Sequence, residues 1–353
     1  MIDTKTINLA FKAGRNLFYQ NFYMKTGINL LKPTNFYSII NEFCNARCKI
    51  CDMWTRNKII DLPAEIWIKH LESIHDWLGR YYISFSGGEP LIKKDFFNIL
   101  EFCNQKGISC GVVTNSIKID KQMAEELIKL RVFNISISVD GAKAETHDYL
   151  RGVPGLFDHV IEVVSYLKDA KEKNKVPLRI IFKTVVNSRN LEEIPDIIRL
   201  VEKLGITGVM FQPVFKWTEA TKNELWVKDI ETLDKVIREV IKLYKNGSPI
   251  LVSQDTIQLW RNHFLEEKLE PKRICNIGLN NYLMQWDGKV FLCTFFPSIG
   301  NLSETKAKDI WYSEKAENIR KATINCRKTC LNTCTSKKSI NDRLKQFFQL
   351  LKS

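Results

Sequence analysis

Three cysteines form the run Cys44-Asn-Ala-Arg-Cys48-Lys-Ile-Cys51 on one short stretch of chain. Three thiolates at this spacing can hold three irons of a cubane and leave the fourth iron without a protein ligand. An electron-transfer cluster takes four thiolates, so a set of three leaves a position where something else coordinates. Structural zinc also takes four ligands, typically from paired CxxC units. No fourth Cys or His lies near this run.

A second group lies toward the C-terminus. Cys275 and Cys293 flank Gly288, and Cys326, Cys330 and Cys334 follow with three residues in each gap. One four-thiolate cluster would leave one of these five spare. Cys275 and Cys293 are the firmest ligands; Cys330 and Cys334 are favoured to complete the set, with Cys326 as the alternative. A zinc knot made from four of the five thiols competes, because four thiolates suit either centre. Cys103 and Cys110 stand apart among apolar residues and read as ordinary buried thiols. A chain with ten cysteines and no secretory signal is not expected to be a disulfide scaffold.

The elements that must position these residues are legible from periodicity. Short β-branched runs at 36–42, 81–86, 109–114, 133–139, 178–186 and 208–214 alternate with helical patterns. Pro63 opens one helix, with Ile66, Trp67, His70, Leu71 and Ile74 on one face. Another carries Ile194, Ile197, Ile198, Val201 and Leu204 and stops at Gly205. Alternating strands and helices imply a parallel sheet with right-handed crossovers, doubly wound or curled into a barrel. In either case ligands bind at the carboxyl ends of the strands, which is where the run at 44–51 falls. Beyond Pro213 a helix at 230–244 leads to the second cysteine group. There, residues 282–292 read as a hairpin around Asp287-Gly288 that brings Cys275 and Cys293 together at its base.

The 353 residues are 44% apolar and 26% charged, a balance suited to a soluble globular protein. Lys5, Lys12 and Arg15 interrupt any signal-peptide core, and no apolar stretch is long enough to span a membrane. The net charge of +13 is concentrated at the two ends, with +4 in residues 1–34 and +4 in residues 337–353. Ile340, Leu344, Phe347, Phe348 and Leu351 share a helical face ringed by Arg343, Lys345 and Lys352. Phe11, Leu17, Phe18, Phe22 and Tyr23 mix with lysines in a similar way. Packing of both arms on the body is the favoured reading, with peripheral contact to anionic lipid second. Nucleic acid is disfavoured, since no recognition motif accompanies the charge.

The CxxxCxxC loop after the first strand resembles the signature of the radical S-adenosylmethionine superfamily, and the later motifs follow in that family's order. Ser86-Gly87-Gly88-Glu89-Pro90 follows the second strand, Thr114-Asn115-Ser116 ends the third, and Ser136, Ser138 and Asp140 end the fourth. His147-Asp148-Tyr149-Leu150-Arg151-Gly152 comes next, with Asn187 and Gln212 near the ends of the fifth and sixth strands. The resemblance implies that the vacant iron chelates the amino and carboxylate groups of S-adenosylmethionine. It further implies that Gly87, Gly88 and Glu89 hold the methionine amino group and that Arg151 pairs with the carboxylate. Asn115, Ser138, Asp140 and Gln212 are then candidates for the remaining contacts. Ile50 stands where the family usually has an aromatic residue that packs on adenine. The spacing from Cys275 through Gly288 to Cys293, with Gly300-Asn301-Leu302, is similar to the family's SPASM/Twitch auxiliary-cluster region.

The fold implied is a partial (β/α)6 TIM-type barrel with a C-terminal cysteine-rich subdomain. The expected organisation is a basic helical arm at 1–35, the barrel at 36–214, a helical linker at 215–274, the auxiliary region at 275–335 and a basic amphipathic helix at 336–353. The implied cofactors are a 4Fe–4S cluster bound to S-adenosylmethionine and one auxiliary 4Fe–4S cluster. The implied activity is reductive cleavage of S-adenosylmethionine to a 5′-deoxyadenosyl radical that abstracts hydrogen, in an oxidoreductase or transferase-type enzyme. A flavodoxin or ferredoxin would donate the electron, and the compartment would be cytoplasmic. Because only residues 1–35 precede the first strand, a small-molecule substrate (sugar, antibiotic precursor or lipid) is placed ahead of a peptide. An electron carrier without catalysis is the rival class, and such a carrier has no use for Gly87-Gly88-Glu89 or Arg151. None of the five histidines carries a catalytic motif; His147 and His159 read as structural.

Overall fold

The computed structural model describes residues 15, 18–56, 60–270 and 275–331. Cys334 and the amphipathic segment at 336–353 lie outside the described residues, as do Phe11 and Leu17. Six βα repeats generate strands β1 (Asn35–Ile39), β2 (Tyr82–Ser86), β3 (Ser109–Thr114), β4 (Asn134–Ser138), β5 (Arg179–Val186) and β6 (Gly208–Pro213). All are parallel, each pairing with the next in sequence. The helices between them are α1 (Ala64–Leu78), α2 (Phe96–Lys106), α3 (Lys121–Lys129), α4 (Ala144–Arg151), α5 (Leu156–Asn174) and α6 (Ile194–Leu204).

Each helix buries the stripe that its periodicity marks. In α1 the buried residues include Trp67, His70, Leu71 and Ile74, and in α6 they include Ile194, Ile197, Ile198 and Val201. The strands bury both faces in the manner of a helix-covered parallel sheet, with Ile83, Phe85, Val112, Ile135, Ile137 and Phe182 all enclosed. Gly205 ends α6 in the left-handed conformation at φ +60°, and its N–H is satisfied by the Glu202 and Val201 carbonyls.

Periodicity alone does not foresee how the C-terminal hairpin joins this sheet. Strands β7 (Asn281–Met284), β8 (Lys289–Phe291) and β9 (Gly300–Asn301) extend it to nine strands, in the order β6-β5-β4-β3-β2-β1-β7-β8-β9. β7 lies parallel to β1, with Phe36 opposite Tyr282, while β8 and β9 are antiparallel. The sheet therefore remains open, a partial barrel whose β1 edge is occupied by the cysteine-rich region. Gly288 supplies the positive φ (+79°) of the hairpin turn, and its N–H donates to the Gln285 carbonyl.

The far edge is covered as well. Residues 249–251 run beside β6, where the Val209 N–H donates to the Pro249 carbonyl and the Leu251 N–H donates to the Val209 carbonyl. The N-terminal segment docks on the C-terminal region: Tyr23 is buried and donates to Glu317, and Gln20 donates to Asn280. Helix α7 (Ile230–Lys245) packs on α6. Helix α8 (Glu314–Ile324) carries Arg320, which is fully buried and donates to the Gly278 and Trp311 carbonyls and to Glu317. No helix among the described residues is long and apolar enough to cross a membrane.

Candidate active site

The first cysteine loop leaves the carboxyl end of β1 and is held from several sides by backbone contacts. The Arg47 and Lys49 N–H groups donate to the Arg151 and Leu150 carbonyls at the end of α4. The Gly88 and Glu89 N–H groups donate to the Asn41 and Phe43 carbonyls, just before Cys44. The two glycines are needed for this approach. A Cβ on Gly88 would lie 2.0 Å from the Phe43 carbonyl oxygen, and one on Gly87 would lie 2.6 Å from that of Asn41. The Gly87-Gly88 pair thus admits the backbone of the cysteine loop itself. Gly152 does the same from the other side, at φ +64° against the Arg47 carbonyl.

Cys44, Cys48 and Cys51 are all free thiols, with Cys48 buried and the others half-buried. Burial pushes the Cys44 and Cys51 thiols up, and their neighbouring thiols add to this. A group that holds all three as thiolates must bring positive charge of its own, as iron does. Asn115 at the end of β3 donates to Asn45 at 2.8 Å and reaches the Cys44 sulfur at 3.8 Å. Arg151 Nη1 lies 3.6 Å from the Cys48 sulfur. Among the described residues no three His, Cys, Asp or Glu side chains gather tightly enough to hold a single metal ion.

Glu89 is enclosed. Its carboxylate accepts from the Thr114 hydroxyl (2.8 Å) and from the N–H groups of Leu91 (3.1 Å) and Asn115 (2.7 Å). Burial nevertheless pushes it up to about 7, since loss of water outweighs the three donors. Arg151 pairs through Nη2 with Asp140 at 2.8 Å, and Asp140 also accepts the Val185 N–H. Burial favours the neutral guanidine, but Asp140 and Cys48 outweigh it and keep Arg151 charged. Asp140, by sequence a candidate for one of the remaining cofactor contacts, is thus committed to the arginine. Arg151 Nε and Asn41 Oδ1 are buried without a hydrogen-bond partner among the described residues, polar valence that a bound polar ligand would take up.

The remaining sequence candidates sort by surroundings. Ser138 is half-buried at the end of β4, and Ile50 is buried in the cysteine loop. Gln212 is half-buried on β6. Asn187 closes a local turn, accepting the Arg189 N–H and donating to the Val185 carbonyl, so its amide is spent on backbone. Ser136 accepts from Asn134. His147 accepts the Asp140 N–H at Nδ1, and His159 meets the Ser116 carbonyl, both structural uses. Residues that sequence reading missed include Asn41 and Asn190, which donate to the Glu89 and Asp140 carbonyls, and Thr218, whose hydroxyl donates to the Lys49 carbonyl. An Asn at the carboxyl end of the first strand, three residues before Cys44, was the available signal for the first; nothing local marks the other two.

At the C-terminal region Cys275, Cys293, Cys326 and Cys330 share one neighbourhood. Burial pushes the Cys275 thiol up to about 12, and the other three thiols each add to the shift. Among the described residues Cys326, like Cys330, lies near Cys275. Cys103 and Cys110 are buried against each other, away from both groups.

The sequence signature of the Radical SAM superfamily matches residues 38–201, and that of an iron–sulfur cluster-binding SPASM domain matches residues 275–335. The AdoMet-dependent heme synthase of Methanosarcina barkeri is 30% identical over 297 residues, spanning 79% of this chain and 81% of the relative. Mycofactocin maturase MftC of Mycobacterium tuberculosis is 26% identical over 278 residues, spanning 76% and 67%. Among solved structures, Streptococcus suis SuiB bound to S-adenosylmethionine superposes with a TM-score of 0.67 at 19% identity, covering 86% of this chain and 71% of SuiB. SuiB bound to its precursor peptide SuiA superposes with a TM-score of 0.66 at 17% identity, covering 92% and 75%.

Proposed function

Because the chain belongs to the radical S-adenosylmethionine superfamily and carries a C-terminal SPASM region, we propose that it uses a 5′-deoxyadenosyl radical to modify a peptide substrate. Its cofactors are a 4Fe–4S cluster that binds S-adenosylmethionine and auxiliary iron–sulfur chemistry in the C-terminal region. When bound, the first cluster supplies the electron that splits S-adenosylmethionine into methionine and the radical.

The observation that carries this reading is the convergence of three free thiols, Arg151 and Asn115 on one loop at the carboxyl end of β1. In our assignment Cys44, Cys48 and Cys51 ligate the first cluster, and Cys275, Cys293, Cys326 and Cys330 ligate an auxiliary one. Arg151, held charged by Asp140, offers its guanidinium to the carboxylate of S-adenosylmethionine. Gly87, Gly88 and Glu89 present the strand-end backbone to its amino group. Asn115 fixes the cysteine loop through Asn45, and Ser138 and Gln212 lie at neighbouring strand ends toward the nucleoside. The protein's own contribution is orientation and exclusion of water around the reacting bond.

For the substrate, the likeness to a maturase supports a peptide ahead of a sugar, an antibiotic precursor or a lipid. The shared fold is also one that admits a precursor peptide in SuiB. A second reading, a tetrapyrrole, is favoured by the 30% identity to a heme synthase. The test uses protein with reconstituted clusters, reductant and S-adenosylmethionine. Formation of 5′-deoxyadenosine and methionine is expected, and their absence refutes the enzyme reading. Co-expression with short open reading frames flanking the gene should then yield a peptide of altered mass. Turnover of a tetrapyrrole instead would move the assignment to the second reading.

A further inference from the structure

The chain leaving β6 links the two cysteine regions. Thr218 donates its hydroxyl to the Lys49 carbonyl at 2.9 Å, between Cys48 and Cys51. Three residues earlier, Phe215 stacks on Trp217 (centroids 4.8 Å apart, 22° between planes) and meets the edge of Phe295 at 5.8 Å. Phe295 stands two residues after Cys293, and Lys328, between Cys326 and Cys330, lies over the Phe295 ring at 5.3 Å. One aromatic row thus runs from the first cysteine loop to the auxiliary thiols.

Its foundation is fixed while its upper surface is open. Phe215 is buried, and His263 beneath it joins the Val214 carbonyl (2.9 Å) to the Thr329 carbonyl (2.6 Å). Trp217 and Phe295, by contrast, are 51% and 37% exposed. Lys216, on the same loop, is committed to Glu266 at 2.6 Å and to the Trp226 face. Lys328 is exposed and makes no ion pair among the described residues. Two exposed rings beside a cation that makes no ion pair among the described residues offer stacking for a flat ring and a counter-charge for an anion next to it.

We propose that Trp217, Phe295 and Lys328 form a specificity shelf that seats an aromatic residue adjoining an acidic one in the peptide substrate. Trp217 and Phe295 take the ring, and Lys328 takes the carboxylate. The assignment rests on the peptide reading above, and it goes further in naming the residue pair that is presented between the two clusters.

The test is titration calorimetry on the full-length, cluster-loaded protein with S-adenosylmethionine present. The probes are N-acetyl-Gly-Trp-Glu-Gly amide and its Leu-Glu and Trp-Gln counterparts. The Trp-Glu probe is expected to bind tightest, with roughly tenfold loss in Trp217→Ser or Phe295→Ser. Lys328→Gln should abolish the preference for Glu over Gln while keeping that for Trp over Leu, and Lys328→Arg should restore it. S-adenosylmethionine affinity should not change in any variant, which marks them as folded. Equal binding of all three probes, or an affinity indifferent to Trp217→Ser and Lys328→Gln, would overturn the shelf. Mass change of the co-expressed precursor peptide, measured alongside, separates the two ideas: a modified precursor with no probe preference sinks the shelf alone.

Discussion

The Arg151 guanidinium lies 2.8 Å from the Asp140 carboxylate, both buried, and the same arginine reaches the Cys48 sulfur at 3.6 Å. The end of β4 therefore sets the charge and aim of a cation that sits against the first cysteine loop. Deleting one partner of a buried pair costs about 3–5 kcal/mol, because the other is left uncompensated. Asp140→Ala is expected to lower folding stability by that order and to weaken S-adenosylmethionine binding. Denaturant unfolding and equilibrium binding check both effects, and an unchanged midpoint would contradict the pairing.

Gly88→Ala should detach the cysteine loop. The added Cβ meets backbone at 2.0 Å, so Phe43 and the residues leading to Cys44 must move. Overpacking of this kind costs about 1–3 kcal/mol. We expect substoichiometric iron at the first site and loss of 5′-deoxyadenosine formation. Gly155→Ala is the control: its φ of +75° strains the new side chain in a way that Gly88 does not, yet nothing lies within 4 Å of the added atom, and it should keep its iron.

Acid should destabilise the barrel through His147. Its Nδ1 accepts the Asp140 N–H, and burial followed by the Arg151 charge pushes its pKa down to about 3. The unfolded imidazole takes up its proton at about 6.5, so the unfolded state binds more protons between about 6.5 and 3. Stability from this group is therefore complete above about pH 6.5 and falls as pH drops, by up to about 5 kcal/mol. His147→Gln, which does not titrate, should flatten that part of a plot of unfolding free energy against pH. A wild-type curve equally flat would exclude the effect.

Iron counting discriminates the auxiliary ligands. With Cys275, Cys293, Cys326 and Cys330 in one neighbourhood, a Ser substitution at any of the four should release the auxiliary iron. Cys334→Ser should retain it. The reverse result for Cys326 and Cys334 would return the ligand set to Cys330 with Cys334.

Arg320 holds the cysteine-rich region to its own helix. It is fully buried, donating to Gly278 and Trp311 carbonyls and to Glu317, with its guanidinium 4.8 Å over the Trp311 ring. Arg320→Met removes the donors and leaves buried carbonyls unpaired, at about 3 kcal/mol. Faster proteolysis near Cys275 with unchanged S-adenosylmethionine binding is expected. Loss of that binding would show the two regions to be less separable than the contacts imply.

The sequence by itself determined the six βα repeats and both groups of cysteines. The repeats are local: apolar periods of two and near four residues mark strand and helix faces wherever they pack. The thiols are legible because their spacing is itself the ligand geometry, and the order of strand-end motifs carried the family. Pairings between distant residues were decided only by the tertiary structure. Phe36 and Tyr282 meet across a parallel ladder, and no side-chain pattern announces this, since backbone hydrogen bonds are indifferent to sequence. Asp140 reads as a ligand-facing carboxylate until α4 folds back and brings Arg151 to it. Gly87 and Gly88 read as room for a ligand, and what closes on them first is the chain before Cys44. The chemistry was written in residue types and short spacings, while the partners that tune it came from chain segments brought together by burial.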